Sequence, residues 1–203
     1  MKQTYRSKTG FVLAWAWLAF VAFNAVDLTV RYSGKSSLVA GAVLAVLTAV
    51  VYVVALRPAT VVGEHALVVR NPFRTTTLPW PSIEEVNVTH SINVEHDGGQ
   101  VLRAWTPTST ARERAKAQGR GGSRPSRGRF RTEPSLNKAE QAAAEAFAGK
   151  THADWVGDQI SDKAETAKRR GEEAAPVTTT WAIDAFAIFG VALLMVIAAI
   201  VVS

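Results

Sequence analysis

Three long, nearly uncharged apolar runs constrain this chain more than any other feature. Residues 11–30, 36–56 and 181–202 read FVLAWAWLAFVAFNAVDLTV, SSLVAGAVLAVLTAVVYVVAL and WAIDAFAIFGVALLMVIAAIVV, and Asp27 and Asp184 are their only charged members. A helix of about 20 residues reaches ~30 Å at ~1.5 Å per residue, which matches the hydrocarbon thickness of a bilayer. A core helix in a small soluble protein keeps a polar stripe, and these runs have none. The sequence is therefore that of a multi-pass membrane protein with three spans. Whole-chain averages of 48% hydrophobic and 20% charged residues hide this, because the charge is gathered between the spans.

Lys2, Arg6 and Lys8 form a positive stretch ahead of the first run, as in a secretory signal. The run is longer than the ~7–15 apolar residues of a signal peptide. It also passes through residues 31–35 directly into the second run, so the two read as a retained helical hairpin. Three basic residues lie in the tail 1–10, two in the hairpin loop (Arg31 and Lys35) and 18 between Arg57 and Arg170. Positive residues favour the cytoplasmic side, which puts the N-terminus and the middle segment in the cytoplasm and the C-terminus outside. Trp15, Trp17 and Trp181 are candidate interfacial anchors. Asp27 and Asp184 lie within about a turn of a span end and read as interfacial carboxylates without a basic partner at membrane depth, rather than as an ion route.

The middle segment divides into three parts. Residues 57–110 are rich in valine, isoleucine and threonine, and strands are expected at 60–62, 66–70, 74–78, 83–88, 92–96 and 101–105. Gly63-Glu64, Asn71-Pro72, Pro79-Trp80-Pro81 and Asp97-Gly98-Gly99 supply the turns. Alternation in Ile92-Asn93-Val94-Glu95 predicts an antiparallel meander with one apolar face. Residues 111–131, ARERAKAQGRGGSRPSRGRFR, have no apolar period and read as a disordered loop. Helical signals return over 135–170. Asn137 with Glu140 caps a helix over 138–148, and Thr151 with Asp154 starts a second that carries Ala153, Val156, Ile160, Ala164 and Ala167 at steps of three and four. That stripe is thin, so packing is expected at Trp155, Val156 and Ile160 and fraying beyond. Residues 171–180 read as a linker to the third span.

The string from His65 to Arg74, with Arg70-Asn71-Pro72 at its centre, followed by Leu78-Pro79-Trp80 and Ile83, resembles the bacterial pleckstrin-homology (PH) domain-containing membrane proteins of the low-molecular-weight protein antigen type. The resemblance spans roughly residues 11–105 and implies an N-terminal hairpin of two spans, then a curved antiparallel sheet or barrel closed by a C-terminal helix. The basic run 111–131 and the third span are additions to that pattern. The fold expected is thus α+β: three transmembrane helices with a small PH-like antiparallel barrel or sheet plus a C-terminal helix.

Most chemistry is excluded by what the chain lacks. Zero cysteines remove disulfides, thiolate nucleophiles and Cys-ligated metals. His90 and His96 would lie ~20 Å apart along one strand at about 3.3 Å per residue and cannot share a metal, and His65 and His152 have no ligand-spaced neighbours and read as exposed, so no metal site is expected. Adjacent carboxylates, Glu84-Glu85 and Glu172-Glu173, point to opposite faces of an extended chain and cannot act as an acid/base pair. No nucleophile elbow, phosphate loop or zinc-protease motif occurs. The chain reads as non-enzymatic, with no catalytic residue, cofactor or metal.

One electrostatic feature remains. Arg112, Arg114, Lys116, Arg120, Arg124, Arg127, Arg129 and Arg131 face only Glu113 within 111–131, while 57–111 carries net −1 and 132–180 net −3. The strands offer only Arg57, Arg70, Arg74 and Arg103, few for gripping an inositol phosphate. Anionic lipid headgroups would reward the basic run by about 1 kcal/mol per residue near the surface. An acidic protein partner satisfies the same charges, and a solvated linker without a ligand is the plain alternative. Nucleic acid is disfavoured because Phe130 is the only interleaved aromatic. The function expected is a membrane-anchored interaction module at the cytoplasmic face, docking a protein partner or anionic headgroups. The alternative is an accessory subunit of a transport or envelope-assembly complex that makes its contacts through the spans, where Gly41, Ala45 and Gly190 would permit close packing; spans replaceable by unrelated ones would exclude it.

Overall fold

The computed structural model describes residues 2–122 and 149–202, and the chain divides into two compact units. The first comprises Met1–Pro79, Ala104–Thr106 and Ala174–Ser203. It holds helices α1 (Lys8–Val30) and α2 (Lys35–Val51), the latter extended by a π-helical turn over Tyr52–Leu56. Its last helix, Ile183–Val201, is α5 in chain order. All three are long and apolar enough to cross a membrane.

Their burial pattern inverts that of a soluble protein. Small residues are hidden between helices: Ala42 and Ala49 on α2, and Ala185, Ala192 and Ala199 on α5. The large ones, such as Phe23, Leu193 and Ile197, point outward. In a bilayer the lipid tails are as apolar as leucine, so helices associate where small side chains let backbones approach. The seven-residue spacing of the α5 alanines presents one such seam to α2. Gly41 contributes a close contact with Met195, whereas Gly190 faces open space within the chain.

The same unit carries a five-stranded antiparallel sheet in the order β1-β2-β3-β4-β8, formed by Gln3–Tyr5, Ala59–Val62, Ala66–Arg70, Arg74–Pro79 and Thr178–Trp181. The central strands β2, β3 and β4 are the expected ones. The outer two are not: the tail 1–10 contributes β1, paired with β2 from Gln3↔Val62 to Tyr5↔Thr60, and the expected linker 171–180 contributes β8, whose Thr178, Thr179 and Thr180 pair with Thr77, Thr76 and Thr75. Each tail runs beside a ladder edge left open by the meander, and threonine suits a half-exposed strand.

The second unit comprises Trp80–Arg103 and Pro107–Glu173. Its sheet is β5-β6-β7, from Ile83–Val88, Ser91–His96 and Gln100–Thr108. Asp97, Gly98 and Gly99 all take positive φ, 47°, 73° and 103°, in the three-residue turn between His96 and Gln100, which the two glycines adopt without a steric cost, and the Gly98 N–H is capped by Glu84 at 2.7 Å. Helix α4 (His152–Arg169) starts on the expected Thr151/Asp154 capping box. Ala153, Val156, Ile160, Ala164 and Ala167 are all buried, so the stripe packs along its whole length instead of fraying after Ile160. His65 and His152 are exposed, as expected, whereas His96 is buried beside Asp97, following the inward alternation of Ile92 and Val94.

The expected disordered loop 111–131 begins as helix α3 (Ala111–Gly122). Thr110 and Glu113 form a reciprocal capping box, with the Thr110 N–H donating to Glu113 at 2.8 Å and the Glu113 N–H donating to Thr110 at 3.2 Å, and alanines follow at 115 and 117. The rest of that run and the expected helix 138–148 lie outside the described residues. The barrel does not close: the two sheets share no ladder. Around Trp105 the backbone of β7 is satisfied by side chains, Asn71 Oδ1 accepting from the Trp105 N–H at 2.9 Å and Thr60 Oγ1 donating to the Thr106 carbonyl.

Gly157 marks the closest approach of α4 to its sheet. A Cβ there would lie 2.3 Å from Cγ2 of Val88, and a β-branched side chain has little freedom to yield. Gly157→Ala is expected to lower stability by about 1–3 kcal/mol, read as the denaturation midpoint of the full chain in detergent, with Asp158→Ala as an exposed neighbour that shifts it little. An unchanged midpoint for Gly157→Ala would show that α4 does not sit this close.

Candidate site at the membrane interface

Every span of the first unit reaches the five-stranded sheet through a very short link. Only Arg6 and Ser7 separate β1 from α1, only Arg57 and Pro58 separate the π-helical turn from β2, and only Ala182 separates β8 from α5. Each link is hydrogen-bonded. Ser7 caps α1 by accepting from the Gly10 N–H at 3.2 Å, Arg6 Nη1 donates to the Leu56 carbonyl at 3.2 Å, and the Ala182 N–H donates to the Phe73 carbonyl at 2.9 Å.

Arg57 organises the junction. Its side chain is buried, 7% exposed, an unusual place for a guanidinium unless every donor is used. Nε donates to Asp184 at 3.0 Å, Nη2 donates to Thr75 Oγ1 at 3.0 Å, and Nη1 donates to the Asn71 carbonyl. The Tyr52 hydroxyl also donates to Asp184, at 2.8 Å. One cation thus joins the end of the second span, the β3–β4 turn and the start of the third span. Asp184 is therefore paired, contrary to the expected unpartnered carboxylate, and Asp27 is paired as well, with Arg31 at 3.2 Å. The signal was present: Arg57 and Asp184 both sit at the sheet-side end of a span.

The β3–β4 turn, Asn71-Pro72-Phe73, lies against the third span. Phe73 packs on Phe186 and Phe189 with ring centroids 6.0 and 6.1 Å apart, and the Arg74 guanidinium lies 4.5 Å from the ring centre of Trp181. Trp181 itself is exposed just ahead of the third apolar helix. Trp17 instead donates from Nε1 to Thr48 Oγ1 at 3.2 Å and ties α1 to α2.

The basic run is only partly described. Arg112 and Lys116 are exposed and one helical turn apart on α3. Arg114 is half-buried and donates from Nε to Ser109 Oγ at 2.9 Å, so it serves its own unit. Arg120 lies within α3, and Arg124, Arg127, Arg129 and Arg131 fall outside the described residues. Among the described residues no group of three or more His, Asp or Glu side chains could hold a metal ion.

Antiparallel sheets, one of them covered by a helix, in a chain with three long apolar helices are the elements of a PH-like domain in a membrane protein. The comparison with protein families agrees: residues 57–124 match the model of the bacterial PH domain. The match covers about a third of the chain and is consistent with a bacterial PH domain over that stretch. The match begins at Arg57 and runs through β7 into α3, which bears out the resemblance carried by Arg70-Asn71-Pro72 and Trp80. No curated protein and no solved structure matches the chain.

Proposed function

We propose that this protein is a membrane-anchored, non-enzymatic interaction module whose PH domain is held at the cytoplasmic face of the cell membrane and docks a protein partner together with anionic lipid headgroups. The observation that carries this is the set of three short links. A sheet joined to its spans by one or two residues at three places, and locked by Arg57, has no freedom to leave the bilayer surface. A domain that only needed tethering would be served by one flexible linker.

The basic residues Arg112, Arg114, Lys116, Arg120, Arg124, Arg127, Arg129 and Arg131 supply the anion-seeking charge. Attraction of this kind is worth about 1 kcal/mol per residue near an anionic leaflet and decays over a Debye length. Arg112 and Lys116, exposed on one face of α3, support it most directly.

The absence of cysteine allows a clean test. A Ser126→Cys chain is expected to react with an impermeant maleimide in inverted but not in right-side-out vesicles. A fluorophore at that position should be quenched by headgroup-labelled lipid in anionic vesicles, and quenching should fade in high salt and when the eight basic residues are changed to glutamine. Labelling from the outer side would reverse the orientation. Equal quenching in neutral vesicles would remove lipid attraction from the proposal.

A further inference from the structure

Beside the Arg57 junction lies a cleft of about 540 Å³ with two unlike walls. One wall is Val50, Val54 and Phe189, all on membrane-spanning helices; the other is the β3–β4 turn with Phe73 and Arg74, faced by Trp105. Val50 and Val54 are about half exposed, and the surface they expose at that depth meets only molecules dissolved in the bilayer. A soluble peptide or metabolite has no route to this wall. The occupant must bring hydrocarbon to it.

The opposite wall fixes the other end of that occupant. Arg57 is consumed by Asp184, Asn71 and Thr75. Arg74 has no ion pair among the described residues and rests on the face of Trp181, which holds the guanidinium at the rim while leaving its edge open to donate. Arg70 pairs across the ladder with Thr75, so it stands on the face of the sheet opposite to Arg74 and is no part of the cleft. A planar guanidinium matches a phosphate oxygen pair, and a lining that carries one cation and no carboxylate favours an anionic headgroup over one that carries its own cation. We infer that the cleft seats one anionic glycerophospholipid, with an acyl chain along Val50, Val54 and Phe189 and its phosphate on Arg74.

The inference rests on the reading of the helices as membrane spans but not on the basic run, so the two can fail separately. The test is native mass spectrometry of the full chain in detergent, titrated with phosphatidylglycerol or with phosphatidylcholine of the same chains. One tightly held phosphatidylglycerol is expected, retained about fivefold better than phosphatidylcholine, as one interfacial arginine would provide. Arg74→Gln should abolish the preference, Arg74→Lys should keep part of it, Arg70→Gln should leave it unchanged, and Val54→Trp, which fills the apolar wall, should remove the single retained lipid. The chain with its eight basic residues neutralised should behave as the unaltered one. Equal retention of the two lipids, a preference that survives Arg74→Gln, or an adduct unaffected by Val54→Trp would each overturn the assignment. A preference lost only with the basic run would move lipid recognition there.

Discussion

Replacing Arg57 with alanine is expected to destabilise the protein by about 3–5 kcal/mol, the scale seen when one member of a buried ion pair is removed. The loss has several parts. Asp184 loses its cation while keeping the Tyr52 hydroxyl, and the Asn71 carbonyl and Thr75 lose a donor. Lysine should rescue little, because a single ammonium cannot span acceptors set around a planar fork. Asp184→Asn is expected to cost less, since that carboxylate is about half exposed and the amide can still accept. In a double-mutant cycle the Arg57 and Asp184 changes should couple by about 0.5–3 kcal/mol. The denaturation midpoint in detergent, followed by tryptophan fluorescence, provides the measurement. An Arg57→Ala chain within 1 kcal/mol of the unaltered one would mean that the junction is not a lock.

Trp80→Ala should cost a similar ~3–5 kcal/mol, and the loss should be local. Trp80 is 2% exposed, sits in the 3-10 turn between β4 and β5, and packs under α4, where Lys163 lies 5.5 Å from its ring centre. Deleting the indole leaves a cavity beneath α4, so α4 should detach before the spans do. Hydrogen exchange separates the two: amides of α4 and β6 should lose protection in Trp80→Ala while those of α2 and α5 keep theirs. Uniform loss across both units would show that the indole supports the whole chain, and no loss would show that α4 is held elsewhere. Trp80→Phe should fall between.

Arg57 and Trp80 differ in how legible they were. Trp80 stood out in the sequence because it follows Pro79, precedes Pro81 and completes a recognisable spacing from Asn71-Pro72. The spans, the six meander strands and the Thr151 cap were legible for similar reasons, since each is announced by neighbours a few residues away. Arg57 was visible only as the first charge after a span, and Asp184 as a carboxylate without a partner. They are 127 residues apart, and no local pattern joins them. Strands β1 and β8 were illegible because a three- or four-residue strand has almost no period; a free ladder edge makes it a strand. Helix α3 was legible after all, in Thr110 and Glu113, but its arginines and glycines outweighed the cap.

The amino-acid sequence by itself determined that this chain has three runs long and apolar enough to cross a membrane, that a PH-like β-meander follows the second of them, and that its basic charge is concentrated in residues 111–131. These properties are summed over contiguous residues, so composition and period carry them. Only the tertiary structure decided that both termini of the domain become sheet edges leading into spans, that the two sheets stay open, and that Arg57 closes the junction. Each of those depends on which distant groups come within hydrogen-bonding reach, and a buried guanidinium is tolerated only where several such groups converge.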